Sequence, residues 1–216
     1  MTETIEPQAV NHSHSGKKST VREYTEAILW AIAIALLIRT WVVQPFTIPS
    51  GSMEDTLVVG DHLLANKFLY GIRIPFTDSR ILKIRDPRRG DVIIFKYPED
   101  RSKDFIKRVI GVPGDEILIR NKQVFVNGVP YRNPREVHKE PLVLPREQSP
   151  RDNVGPLRVP AGSWFVMGDN RDRSYDSRFW GFVRDADIEG SAFVTYWSWD
   201  GEKWRVRWDR IGRRIE

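Results

Sequence analysis

At 216 residues the chain has room for one substantial domain with a small lobe besides, and enough length to bury a core without disulfides or metal. It contains no cysteine, which excludes disulfides, thiolate nucleophiles and zinc-thiolate centres while fitting either a reducing or an oxidising compartment. The formal charge of +5 suits an anionic partner, and because the basic residues are dispersed, a lipid surface is expected and nucleic acid is not.

Residues Met1 to Thr20 are polar and lack apolar periodicity, so a disordered tail is expected over 1–22. Ala27 to Ile38 follows as 12 uninterrupted apolar residues. Alone, that run is short for a membrane span and also fits a signal-peptide core or a buried helix. Including Arg39 to Val43 lengthens it to 17 residues, the lower limit for crossing hydrocarbon, with Arg39 able to snorkel and Trp30 and Trp41 placed near the two head-group layers. No small-x-small cleavage site closes the run, so a transmembrane anchor helix is expected over 23–44. Lys17, Lys18 and Arg22 precede it, and after Arg39 no Lys or Arg occurs until Lys67, which predicts a cytoplasmic N-terminus and everything beyond Gln44 outside.

Pro45 and Pro49 stop a helix and force an extended exit, placing Ser50-Gly51-Ser52 close to the bilayer. Gly51 can turn the chain sharply around an exposed hydroxyl, although Pro-Ser-Gly-Ser by itself is an ordinary turn. The remainder reads as β-structure. Runs at 91–97, 105–110, 116–119, 123–126, 163–167, 192–197 and 204–208 are β-branched or aromatic and bounded by Gly, Pro, Asn or Asp, with Asn127-Gly128 a strong turn signal. Residues 131–160 hold six of the 14 prolines, many charges and little periodicity, and are expected to form an irregular excursion or small lobe on a catalytic domain spanning 45–216.

Candidate chemistry narrows by elimination. A Ser-His-Asp triad needs an imidazole, and outside the tail only His62 and His138 remain. The Gly-x-Ser-x-Gly elbow is absent. Asp169 to Asp176 superficially resembles a calcium loop, but Arg171 and Arg173 stand at the third and fifth positions, where oxygen ligands are required; no metal site and no cofactor are expected. A lysine base must be desolvated before its neutral form is accessible. Lys107 lies in Phe105-Ile-Lys-Arg-Val-Ile110, where strand alternation puts it on one face with Phe105 and Val109. On the residues alone, a solvated strand lysine beside Arg108 is the simpler reading.

Six blocks then occur in a characteristic order: Pro49-Ser-Gly-Ser-Met-Glu-Asp-Thr-Leu57, Gly60-Asp61, Arg89-Gly-Asp-Val92, Phe105-Ile-Lys-Arg108, Val112-Pro-Gly-Asp115 and Gly168-Asp-Asn-Arg-Asp-Arg-Ser-Tyr-Asp-Ser-Arg-Phe-Trp-Gly181. In these the chain resembles the type I signal peptidases, from roughly the anchor to the last strands, and it resembles members with one anchor helix. The resemblance implies a mainly β fold, a coiled antiparallel β-sheet catalytic domain preceded by one N-terminal transmembrane helix. It implies a serine endopeptidase of the bacterial inner membrane, single-pass with its catalytic domain on the outer face, that removes signal peptides from secreted precursors. Carried over, it makes Ser52 the nucleophile and Lys107 the general base, with Ser50 and the Ser52 N–H holding the oxyanion. Ser174 would orient the lysine amine, Asp176 and Arg178 would form a structural ion pair, and Asp169, Asn170 and Arg171 would shape the loop beneath. Phe46, Ile48 and Ile106 would line shallow pockets for the −1 and −3 side chains. The expected partners are signal-peptide-bearing precursors and membrane lipid, with Trp197, Trp199, Trp204 and Trp208 available to the interface or to the core. Two other readings of the residues are a self-cleaving Ser/Lys repressor of the LexA kind and a non-catalytic membrane-tethered binding module.

Overall fold

A computed structural model describes residues 20–41, 43–73 and 80–216. The expected tail, with Lys17 and Lys18, lies outside the described residues, as do the side chains of Arg39 and Trp41. The chain divides into two compact units, Met1–Leu37 and Ile38–Glu216.

The helix α1 runs over Thr20–Trp41, beginning in polar sequence ahead of the expected boundary. Thr25 Oγ1 donates to the Val21 carbonyl, and Arg22 pairs with Glu26 one turn on at 2.8 Å. From there Ile28, Leu29, Trp30, Ile32, Ile34 and Leu36 are all exposed. No helix among the described residues is long and apolar enough to cross a membrane. The anchor expected over 23–44 overlaps α1, whose N-terminal turns are built from Thr20, Arg22, Glu23, Thr25 and Glu26, and the side chains of residues 37–41 and the whole of residue 42 lie outside the described residues.

The second unit is β-structure. Its strands in chain order are β1 (Val43–Thr47), β2 (Asp61–Asn66), β3 (Ile72–Arg73), β4 (Arg80–Ile81), β5 (Val92–Tyr97), β6 (Asp100–Gly111), β7 (Glu116–Arg120), β8 (Gln123–Val126), β9 (Val129–Tyr131), β10 (Val154–Arg158), β11 (Ser163–Met167), β12 (Val183–Arg184), β13 (Ile188–Asp200) and β14 (Arg205–Val206). One sheet has the order β1-β2-β13-β5-β6-β11-β12 with β14 on β13, a second the order β10-β7-β8-β9, and β3 pairs with β4. Every pairing between these strands is antiparallel, as expected, while the isolated bridge Val137–Asn170 is parallel. Register shifts in β13 against both neighbours, and between β6 and β11, add local twist that coils the larger sheet.

The strands β1 and β2, which carry the approach to Ser52, are among those with no sequence signal. Pro45 sits within β1, tolerated because β1 is an edge strand and its missing N–H breaks no interior ladder. β2 reads Asp-His-Leu-Leu-Ala-Asn, with few strand-favouring residues, and is made a strand by β1 on one side and β13 on the other, burying Asp61, Leu63 and Ala65 alternately. Conversely, the run expected over 204–208 is a strand only at Arg205–Val206; Trp204 has φ 48° in the turn and Trp208 begins a 3-10 turn. The hairpin turn at Asn127-Gly128 forms with both φ angles positive, joining β8 to β9. The excursion expected over 131–160 starts at the last residue of β9 and ends two residues past β10, and residues 132–153 between the two strands contain no strand.

The core explains how the larger sheet is held. Val92 and Ile94 of β5 pack with Ile48, Met53, Leu57 and Leu63, whereas Ile93 and Phe95 on the opposite face pack with Val109, Trp164 and Val166. A strand buried on both faces loses the apolar/polar alternation of a one-sided sheet and reads as a continuous apolar run. A third cluster joins Phe165 and Met167 of β11 to Ile117, Ile119, Val124 and Val126 of the smaller sheet.

Candidate active site

The segment after β1 places a hydroxyl at the edge of the first core cluster. Residues Gly51–Met53 form one turn of 3-10 helix, with Met53 buried beside Ile48 and Leu57 and Ser52 buried next to it. The buried Met53 side chain fixes the turn, and thereby the direction of Ser52. Ser50 Oγ lies 3.4 Å from Ser52 Oγ.

Lys107 comes from the middle of β6, paired opposite Ile93, while Phe105 pairs opposite Phe95. Its Nζ lies 2.7 Å from Ser52 Oγ and 3.0 Å from the Ile106 carbonyl oxygen, and sits over the Phe105 ring at 5.3 Å. Only 4% of the residue is exposed. Burial removes water from the ammonium and lowers its pKa from 10.5 to about 8; the Asp176 carboxylate opposes that shift, the Arg178 guanidinium assists it, and Asp169 opposes it. A solvated strand lysine is thereby excluded. An amine with an accessible neutral form, within hydrogen-bond reach of a hydroxyl, can take that hydroxyl's proton.

The long block after β11 braces both groups from beneath. Gly168 N donates to Asp176 Oδ2 at 3.0 Å. Asn170 N donates to the Ser52 carbonyl at 3.1 Å, and Asn170 Nδ2 to the Gly51 carbonyl at 3.1 Å. Asp169 accepts from Arg108 Nε and Nη2, both at 2.7 Å, from Thr56 Oγ1 at 2.6 Å and from Asn133 Nδ2 at 2.8 Å. The pair expected at Asp176 and Arg178 is present and bidentate, with both contacts at 2.8 Å. Burial pushes the Asp176 carboxyl up, but the charge and hydrogen bonds of Arg178, together with Ser174 and the Gly168 N–H, outweigh it and hold the carboxyl below the usual range. Ser174 is buried and near enough to Asp176 to favour that carboxylate, yet its Oγ makes no well-formed hydrogen bond among the described residues, to Lys107 or otherwise. Arg171 is buried and pairs with Glu136 at 2.8 Å.

A cavity of about 510 Å³ opens over the serine and the lysine, lined by Phe46, Ile48 and Ile106 as expected, and also by Phe105, Arg173 and Tyr175. A larger, more open hollow of about 690 Å³ lies over Trp164 and Pro87 and contains neither Ser52 nor Lys107, so size alone does not locate the chemistry. The irregular segment reaches the serine turn as well: Lys139 Nζ lies 2.7 Å from Glu54 Oε2, and Asp172 accepts from the backbone N–H groups of Lys139 and Glu140. Sequence reasoning missed Gly168, Thr56, Asn133 and Lys139. Thr56 and Gly168 stand within the motif blocks quoted above but were given no role, whereas Asn133 and Lys139 carried no signal.

A model of the family described as signal peptidase, peptidase S26, matches residues 21–197. The chain is 37% identical to a signal peptidase I of Pseudomonas fluorescens and 38% identical to one of Pseudomonas aeruginosa, each alignment covering 92% of this chain and 80% of the relative. A crystal structure of a signal peptidase I from Enterococcus faecalis is 34% identical, with a TM-score of 0.40, covering 50% of this chain and 97% of that one. With a family match across most of the described residues and relatives this similar over nearly the whole chain, the protein belongs to the signal peptidase family, peptidase S26.

Proposed function

We infer that this protein is a serine endopeptidase that removes N-terminal signal peptides from secreted precursor proteins, with Ser52 as nucleophile and Lys107 as general base. The observation that carries the mechanism is the 2.7 Å contact between Lys107 Nζ and Ser52 Oγ at a buried amine whose pKa is lowered to about 8.

In this reading the neutral Lys107 amine accepts the Ser52 proton as Oγ attacks the scissile carbonyl carbon. The resulting oxyanion is held by the Ser52 N–H and the Ser50 hydroxyl. The ammonium returns its proton to the departing amine, leaving an acyl-enzyme on Ser52. Water then attacks the ester with Lys107 again as base, releasing the signal peptide with a new carboxyl end. Asp176 and Arg178 act on Lys107 by charge. Ser174 stands beside Asp176 and Gly168 and acts on the amine only through them.

Phe46, Ile48 and Ile106 form the apolar wall that would receive small side chains at −1 and −3. The catalytic part corresponds to 45–216, with 131–160 as a brace against the serine turn. The enzyme works at the outer face of a bacterial plasma membrane, where α1, with exposed Ile28, Leu29, Trp30 and Leu36, is the segment that contacts lipid and 1–22 is its polar lead.

The decisive experiment is cleavage of a purified precursor with Ala at −1 by the full chain. The unsubstituted protein cuts at one bond, and Ser52→Ala, Lys107→Ala and Lys107→Arg do not, because guanidinium cannot release its proton. More than a tenth of normal activity in Lys107→Ala, with the fold intact by circular dichroism, overturns the mechanism. Cell fractionation of the full chain beside one lacking residues 1–42 tests the membrane assignment, which fails if both remain in the soluble fraction.

A further inference from the structure

Three charged side chains line the cavity over the dyad: Asp104, Lys107 and Arg173. Two of them are already engaged. The Asp104 carboxylate pairs with Lys96 Nζ at 2.7 Å, itself 28% exposed, and Lys107 Nζ meets Ser52. Arg173 is different. It closes the 3-10 turn Arg171–Arg173, is exposed, and has no hydrogen bond or ion pair from its guanidinium to any described residue.

Its neighbours in sequence make the contrast clear. Arg171 is buried and paired with Glu136, and Arg178 is buried and paired with Asp176. Asp172, the acidic residue next to Arg173, is turned inward, where it pairs with Lys122 at 2.7 Å and accepts from the backbone of the 132–153 segment. The turn therefore leaves one cation, unpaired among the described residues, on the lining of the cleft over Ser52 and Lys107. Beside it stands Tyr175, half exposed, with its ring 5.1 Å from Phe179 and 6.3 Å from Tyr97, so this wall is held by aromatic packing.

A guanidinium on the wall of a half-enclosed apolar cleft interacts most favourably with a carboxylate, and least with an ammonium. We propose that Arg173 is a specificity-determining residue that favours substrates carrying an acidic side chain within a few residues of the scissile bond. This rests on the reading of Ser52 and Lys107 as the catalytic pair. It concerns a polar preference, separate from the size selection made by the apolar wall.

The test is a peptide series with Ala fixed at −1 and Asp, Asn or Lys placed in turn at each position from −5 to +3, cut by the full chain in detergent. The comparison is the Asp-to-Lys ratio of kcat/KM within each enzyme, so any general loss in a variant cancels. At one or more positions the unsubstituted protein should prefer Asp by about fivefold, the scale of a partly exposed ion pair. Arg173→Lys should keep the preference, Arg173→Gln should bring the ratio near one, Arg173→Glu should invert it, and added salt should weaken it. The same ratios in Arg173→Glu as in the unsubstituted protein overturn the inference while leaving the peptidase reading standing. Failure of the unsubstituted protein to cut any peptide overturns both.

Discussion

A Cβ at Gly168 would fall within 3.0 Å of the Ser52 carbonyl oxygen, and equally close to Ser174 Oγ and Cβ. The glycine is therefore required by contact, since the serine turn and the 169–178 block meet across a space that holds no side chain. Gly168→Ala should push the two apart, and even ~1 Å of misplacement at a catalytic group can lower the rate ~100-fold. We expect a loss in kcat/KM of that order with the β-sheet spectrum retained; normal kcat/KM in a folded Gly168→Ala protein would show that the contact does not set the geometry.

The lowered pKa of Lys107 fixes the direction of the pH response. Only the neutral amine accepts a proton, so kcat/KM should rise about tenfold per pH unit on the acidic side and level off above about 8. For stability the sign is worked out the same way: the folded-state value lies below the unfolded 10.5, so the unfolded chain binds more protons between about 8 and 10.5. Burial of the amine thus costs on the order of 3 kcal/mol below that window, and the cost is relieved as pH rises through it. Replacing Lys107 by Met should remove this pH-dependent component of stability, measured by urea unfolding at pH 7 and pH 10, and an unchanged difference between the two pH values would contradict the assignment.

Arg178 offsets the Asp176 carboxylate that would otherwise hold Lys107 protonated. Arg178→Ala should move the acidic limb of the pH–rate profile to higher pH, besides destabilising the fold by leaving a buried carboxylate unpaired. A purely structural role would lower activity at every pH by the same factor.

Asp169 joins Arg108 of β6 to Thr56 and Asn133, all buried. Asp169→Ala leaves the Arg108 guanidinium buried without its carboxylate, and should cost about 3–5 kcal/mol in denaturant unfolding. A loss below 1 kcal/mol would mean that water or the Gly90 carbonyl, which Arg108 also reaches at 2.7 Å, replaces the carboxylate.

Ile48 is buried in the wall of the cleft. Ile48→Ala should open the space for a larger −1 residue, raising the Val-to-Ala ratio of kcat/KM by severalfold, since one or two methylene groups in an apolar pocket shift selectivity about tenfold or more. An unchanged −1 preference would place that pocket elsewhere.

How much was legible beforehand differs between elements. Strands β5, β7, β8 and β11 carry dense β-branched or aromatic residues and lie where their signal does, whereas β6 begins five residues before its run, in the polar stretch Asp100 to Asp104. Strands β1 and β2 do not, because they exist through pairing with β13 rather than through their own residues. The contact between Ser52 and Lys107 was legible only through the order of motifs, since neither a turn serine nor a strand lysine announces a partner 55 residues away. Hidden altogether were the contacts of Asn133 and Lys139, which come from a segment with no periodicity and reach the site by long-range docking. The helix α1 begins in polar sequence that carries no apolar signal, so its start was not legible.

Asn170 grips the turn that carries Ser52, and Asp169 grips the arginine next to Lys107 in β6. Two adjacent residues near the end of the domain therefore align two groups encoded far earlier. A chain interrupted before residue 168 would carry Ser52 and Lys107 without the two residues that brace their backbones, so their alignment belongs to the complete sheet and not to the segments that bear them.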